Sequence, residues 1–110
     1  MSQPIIPGSI RVQAQALIDW ASSCLTAIDM SPQDAGLLAE SLVQTSLWGV
    51  DSHGIARLPH YMERLTRGSI KPRPNITTKE TGPSTAQVLG DQGQGILVAH
   101  RAAQVAIDLA

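Results

Sequence analysis

The chain has 110 residues, 43% hydrophobic and 15% charged, with a formal net charge of -1, which are the proportions of an ordinary globular protein with one modest aliphatic core. That charge balance excludes a dedicated nucleic-acid binder, and the single Cys24 excludes an internal disulfide and suits a reducing, cytoplasmic setting. MSQPIIPGSI has neither a basic start nor a continuous apolar run, and no segment has the length of a membrane span, so the expectation is a soluble chain without a leader.

Phe is absent and only Trp20, Trp48 and Tyr61 carry aromatic side chains, so Leu, Ile, Val and Ala must fill the interior. Ser9 is placed to cap a first helix running to about Ile28, with Ile10, Leu17, Ala21, Leu25 and Ile28 at helical spacing. In DMSPQDAGLLAE, Ser31 stands at an N-cap, Pro32 at the first helical position and Asp34 three residues beyond the cap, where a carboxylate favours the helix dipole. Ala35, Leu38, Ala39, Leu42, Val43 and Leu47 then trace an apolar stripe that Gly49 ends, so these two helices should pair as a hairpin.

A third helical pattern carries Ile55, Leu58, Met62 and Leu65 and stops at Gly68. Pro59 has no amide hydrogen, so either the regular helix starts near it or a short turn precedes it. IKPRPNI, residues 70–76, alternates proline with basic and polar residues and is predicted to be extended, because positions before proline disfavour the helical region. ITTKET and TAQVLG flank Gly82-Pro83-Ser84 as a β-hairpin. From Gln94 the chain returns to helical spacing, with Val98, Ala102, Val105 and Leu109 on one face. Ala110 follows with no glycine cap and no polar tail, from which the expectation is the front part of something longer, a frayed natural terminus being the alternative.

The chemistry is concentrated in GVDSHGIARLPHYMERL, Gly49 to Leu65. Imidazole exchanges a proton near neutral pH, and Arg57 lies four residues after His53, so in a helix a proton carrier and a forked, permanently charged donor would share a face. That pair suits a substrate with a carboxylate beside a carbonyl or hydroxyl, with Ser52 adding a hydrogen bond and Asp51 capping the turn or orienting His53. The bland alternative makes Asp51 or Ser52 an N-cap, His53 a first-turn polar residue and Arg57 a solvated side chain. Caps are far commoner than catalytic histidines, so spacing alone favours that alternative. A metal on Asp51, His53 and His60 is disfavoured, since zinc-type spacing is missing. His60 and His100 read as structural, Tyr61 or His60 facing inward, and DQGQG, Asp91 to Gly95, matches neither dinucleotide nor P-loop spacing.

The run LWGVDSHGIARLPHYMERLTRGSIKPRPNI nevertheless resembles the N-terminal signature of the malate/L-lactate dehydrogenase-like family, whose fold is unrelated to classical lactate dehydrogenase. The matching elements are Gly49, Asp51-Ser52-His53-Gly54, Arg57, Tyr61, Gly68, Ile70 and Pro72, and LGDQGQGILVAHRAAQVAIDLA extends the likeness over nearly the whole chain. The resemblance implies that His53 is a catalytic acid/base or substrate-orienting histidine, Ser52 a neighbouring active-site hydroxyl and Arg57 the carboxylate-binding cation. Trp48 stands where many members carry an arginine, so a charge found there in others is missing.

The fold class so implied is α+β: a lobe of three helices with the connector over residues 1–73, then a β-hairpin and a helix over residues 74–110 that begin a truncated nicotinamide domain of non-Rossmann type. The implied function is the N-terminal part of an NAD- or NADP-dependent oxidoreductase acting on a small 2-hydroxy or 2-oxo acid, a homodimer, inactive as 110 residues alone. The resemblance names no cofactor-binding residue in this chain and no metal. The competing expectation is a non-catalytic helical association module; a helix-turn-helix DNA binder is disfavoured because Arg and Lys are scattered rather than gathered on one helix.

Overall fold

Ser31 begins the helix on which the other elements lean. Its backbone is extended and its hydroxyl oxygen accepts the amide hydrogen of Asp34 at 3.2 Å, satisfying one of the donors that a helix start leaves unpaired. In the computed structural model, which describes residues 7–110, this is α2, Pro32–Leu47. It follows α1, Ala14–Ala27, and precedes two short 3₁₀ turns, Asp51–His53 and Ile55–Arg57. Helix α3, Leu58–Arg67, the strands β1, Thr77–Gly82, and β2, Thr85–Leu89, and helix α4, Gly95–Leu109, complete the α+β order. Most of the stretch read above for a leader, residues 1–6, lies outside the described residues.

The first helix is shorter than its sequence pattern. It starts at Ala14 after Gln13, whose side chain makes no cap bond, and Ser9, Ile10 and Val12 are exposed outside it. Gln13 keeps an extended backbone, φ -70° and ψ 137°, which starts the helix there, and Ile10 and Val12 border a cleft with Leu17, Val43 and Leu47 instead. Leu47 also departs from expectation: on the last turn of α2, it is 57% exposed.

Both helices end on the same hydrogen-bond pattern with different residues. At the end of α1, Asp29 takes a left-handed φ of 77°, its amide bonds to Thr26 O at 3.1 Å and that of Met30 to Leu25 O at 3.2 Å, while the Met30 side chain is buried. At the end of α2, Gly49 takes a φ of 85°, its amide bonds to Ser46 O at 2.9 Å and that of Val50 to Thr45 O at 3.2 Å. These are Schellman closures, which satisfy last-turn carbonyls and turn the chain sharply.

Ala21 and Leu25 of α1 meet Ala35, Leu38, Ala39 and Leu42 of α2, and Met30, Leu58, Leu65 and Leu97 close the same cluster. Small alanines alternate here with leucines, which lets aliphatic side chains fill the interior without a phenylalanine. Helix α3 obeys the predicted stripe, with Leu58 and Leu65 buried and Ile55 and Met62 packed at its edge, and Gly68 ends it at a φ of 86°.

The connector forms neither helix nor strand, but where an extended run is predicted it bends at Ile70 and at Pro72–Arg73, where side chains tie it down: Pro72, Pro74 and Ile76 are half-buried while Lys71, Arg73 and Asn75 are exposed. It is held at both sides. Arg73 Nε donates to the backbone oxygen and the carboxylate of Asp29 at 3.0 and 3.2 Å. Lys71 Nζ reaches Asp91 Oδ1 at 2.8 Å, the Asn75 amide donates to Asp91 Oδ2 at 2.9 Å, and the Lys71 amide donates to Gln92 O at 2.9 Å. The hairpin pairs Thr77 with Leu89 through Glu80 with Ala86, and slips at Thr81, so that Gly82 pairs with Thr85. Gly82 therefore belongs to β1 and the turn is Pro83-Ser84, one residue shorter than predicted. Helix α4 sends Leu97 into the helical core, while Val98, Ala102, Val105 and Leu109 are half-buried along a groove beside Thr85, Ala86 and Val88. The molecule extends 54 × 34 × 20 Å and no helix among the described residues is long and apolar enough to cross a membrane.

Leu42→Ala is expected to lower unfolding free energy by about 2–5 kcal/mol through the cavity it leaves, read from urea unfolding. A second expectation concerns acid. The Lys71 ammonium and the Asn75 amide hold the exposed Asp91 carboxyl below its ordinary range. The group thus binds fewer protons folded than unfolded across that window. Its stabilisation is complete above the unfolded carboxylate range and is lost as pH falls through the folded value. The Tm difference between the protein and Asp91→Asn should accordingly shrink on acidification, and a difference that persists at low pH would contradict the clasp.

Candidate active site

The motif Asp51 to Arg57 runs between the end of α2 and the buried Leu58 rather than forming one helix. Gly49 ends α2 and sets the direction, Asp51, Ser52 and His53 form the first 3₁₀ turn, and Gly54 breaks it at φ -95°, ψ -145°. Ile55, Ala56 and Arg57 form the second turn, closed by the Arg57 amide on Gly54 O at 3.0 Å, and buried Leu58 starts α3. The condition under which His53 and Arg57 would share a helical face is not met: short turns precede α3, the break at Gly54 puts the two residues in separate ones, and the four-residue rule does not apply across it.

Gly54 is buried against the last turn of α2. A β-carbon there would run into Ser46 Oγ and sit 3.0 and 3.1 Å from the Ser46 nitrogen and α-carbon. The same Ser46 hydroxyl accepts the Ile55 amide at 2.9 Å. That contact spans nine positions between helix and turn, and no local pattern in the sequence signals it.

The structure brings Ser52 and His53 together: Ser52 Oγ lies 2.8 Å from His53 Nδ1. With Nδ1 engaged, the other ring nitrogen is the one open to an incoming group, and the side chain is exposed. Arg57 is also exposed, and among the described residues its guanidinium forms no hydrogen bond or ion pair, so its fork is open to an anion. Asp51 makes no cap bond and no hydrogen bond to His53; it borders a cleft with Ile10, Arg11, Val12 and Leu17 instead. Tyr61 is half-buried with the exposed His60 ring 5.8 Å away at 56°. His100 is exposed on α4 and does not reach the core.

A nicotinamide dinucleotide would need backbone donors or glycines open to its phosphates. The loop before α4 does not fit that need. Asp91 and Gln92 take left-handed φ values of 51° and 59°, Asp91 is engaged by the connector, and a β-carbon on Gly93 would strike Pro74. Gln94, buried, spends its side-chain oxygen on the Ile96 amide of its own helix at 2.6 Å. Internal bonds close this loop.

The family model for malate/L-lactate dehydrogenase matches residues 12–110. The chain is 36% identical over 98 residues to a malate dehydrogenase of Pyrococcus horikoshii, covering 89% of this chain and 27% of that protein. It is 40% identical over 75 residues to an L-sulfolactate dehydrogenase of Methanocaldococcus jannaschii, covering 68% and 22%. The solved structure of the Pyrococcus horikoshii malate dehydrogenase superposes with a TM-score of 0.93 at 33% identity, over 99% of this chain and 31% of that one. The chain therefore spans about a quarter to a third of the length of these relatives.

Because backbone as well as side-chain atoms of Ser46 oppose a β-carbon at position 54, Gly54→Ala is expected to destabilise by about 1–3 kcal/mol, measured by thermal or urea unfolding. An unchanged midpoint would show that the turn can move off α2 freely.

Proposed function

The chain belongs to the malate/L-lactate dehydrogenase family, and on that premise we propose that it carries the acid-binding and proton-handling part of a nicotinamide-dependent oxidoreductase acting on a small 2-hydroxy or 2-oxo acid. The observation that carries the proposal is the Ser52–His53 contact in one turn, followed in the next turn by an exposed Arg57 that has no hydrogen bond or ion pair among the described residues. Interconverting a 2-hydroxy and a 2-oxo acid requires a proton to leave or reach the substrate oxygen, and it leaves the neighbouring carboxylate ionised throughout. His53 is suited to the first requirement, with Ser52 fixing which ring nitrogen faces the substrate. Arg57 is suited to the second, because a planar fork binds a carboxylate through two parallel hydrogen bonds. Because the loop before α4 does not fit the cofactor, whether NAD or NADP, we derive no step through it and expect the 110-residue chain by itself to turn nothing over.

The same reading places the helical lobe and connector, residues 1–73, as the substrate side, and residues 74–110 as the start of the nicotinamide side. It also includes a cytoplasmic homodimer. Support for self-association comes from Ile10, Val12, Leu47, Trp48 and Val50, large apolar residues exposed around the start of α1 and the end of α2, and from Trp20, exposed midway along α1.

In the natural protein, His53→Ala is expected to lower kcat about 10²–10⁴-fold with folding retained, as loss of a general acid/base does. Arg57→Ala should chiefly raise KM for the acid. Steady-state kinetics over a panel of 2-oxo acids checks both, and unchanged constants in the two variants would sink the site assignment.

A further inference from the structure

We propose that Ser46 is a positioning residue for this site, setting Arg57 relative to His53 through the Gly54–Ile55 backbone. The proposal rests on the reading of His53 and Arg57 given above and adds a residue outside the motif. Ser46 lies on the last turn of α2, a helix buried along Ala35, Leu38, Ala39 and Leu42, so its position is fixed by the core and not by the loop. Its hydroxyl oxygen takes the amide hydrogen of Ile55, the first residue of the turn that bears Arg57. A 3₁₀ turn this short leaves that donor without a partner of its own, and a side chain from another helix supplies one.

Gly54, the link between the two turns, rests directly on the same serine, closely enough that a β-carbon would collide with it. One residue thus touches the chain on the C-terminal side of His53 and at the start of the Arg57 turn. The φ and ψ of Gly54 decide how far the imidazole stands from the guanidinium, and Ser46 is what restrains them. Among the described residues the His53 side chain is tied to Ser52 alone and that of Arg57 to none, so neither restores the spacing if the backbone shifts. A substrate held by its carboxylate at one turn and by its oxygen at the other reads that spacing directly, and small misplacements of such groups are expensive in rate.

The test uses the natural protein and the variants Ser46→Ala and Ser46→Cys, the latter close in size to serine but a much poorer acceptor, so that it keeps the packing if alanine does not fold. Each is measured alone and combined with Arg57→Ala. The expected result is a rise in KM for the 2-oxo acid together with a fall in kcat, lowering kcat/KM about 10- to 100-fold. In the background of Arg57→Ala the KM effect of the Ser46 change should vanish, because the group it positions is gone. A merely structural serine would reduce the amount of active enzyme, lowering kcat at constant KM, and its effect would add to that of Arg57→Ala; either observation overturns the proposal. If Arg57→Ala raises KM and the Ser46 variants do not, the positioning role fails while the site stands. If Arg57→Ala leaves KM unchanged, the underlying site reading fails, and the role of Ser46 with it.

Discussion

Burial of the α1–α2 seam is the constraint on which the other elements depend. Leu25, Leu38 and Leu42 are fully removed from water, and the alanines between them keep the two helices close enough for the cluster to fill. Leu58 and Leu65 bring α3 into the same cluster and Leu97 brings α4, while Ser46 ties the motif to α2. A helix satisfied at its start by Ser31 and at its end by the Gly49 closure makes a firm reference frame, because both sets of terminal backbone groups have partners.

The site uses that frame in a particular way. The side chains of Ser52, His53 and Arg57 are solvent-facing, whereas the chain that carries them is buried at Gly54 and Leu58. Chemistry-bearing loops on rigid scaffolds commonly divide the labour so: the scaffold holds the main chain and leaves the functional groups free to meet a ligand. On the proposed reading, Arg57 and the outward ring nitrogen of His53 are available to a ligand, and the placement of their backbone sets how far apart they stand.

Much of this was legible in the sequence, for identifiable reasons. Ser31-Pro32-Asp34 marks a helix start, Gly49 and Gly68 mark two helix ends, and the prolines of residues 70–76 mark a connector without helix, because each signal is local and backbone-driven; the bends at Ile70 and Pro72–Arg73 are not in that signal. Ser9 misleads because a good cap residue starts no helix while the backbone stays extended as far as Gln13. The helical face that His53 and Arg57 would share misleads because Gly54 reads as part of a motif and not as a point where the backbone must pass close to another element. Ser46 and the Asp91 clasp gave no signal, since each joins residues whose proximity exists only after the fold has formed.

The left-handed turn at Asp29 carries a trade that its counterpart at Gly49 does not. Glycine would occupy a φ of 77° with less steric penalty, yet it would bring no carboxylate to Arg73, which here contacts both the backbone oxygen and the side chain of that residue. Local comfort of the α1–α2 corner is given up so that the corner can grip a connector more than forty positions away. Loosening of that corner would be felt first not in the helices it joins but in the bearing of the hairpin end of the molecule against the lobe.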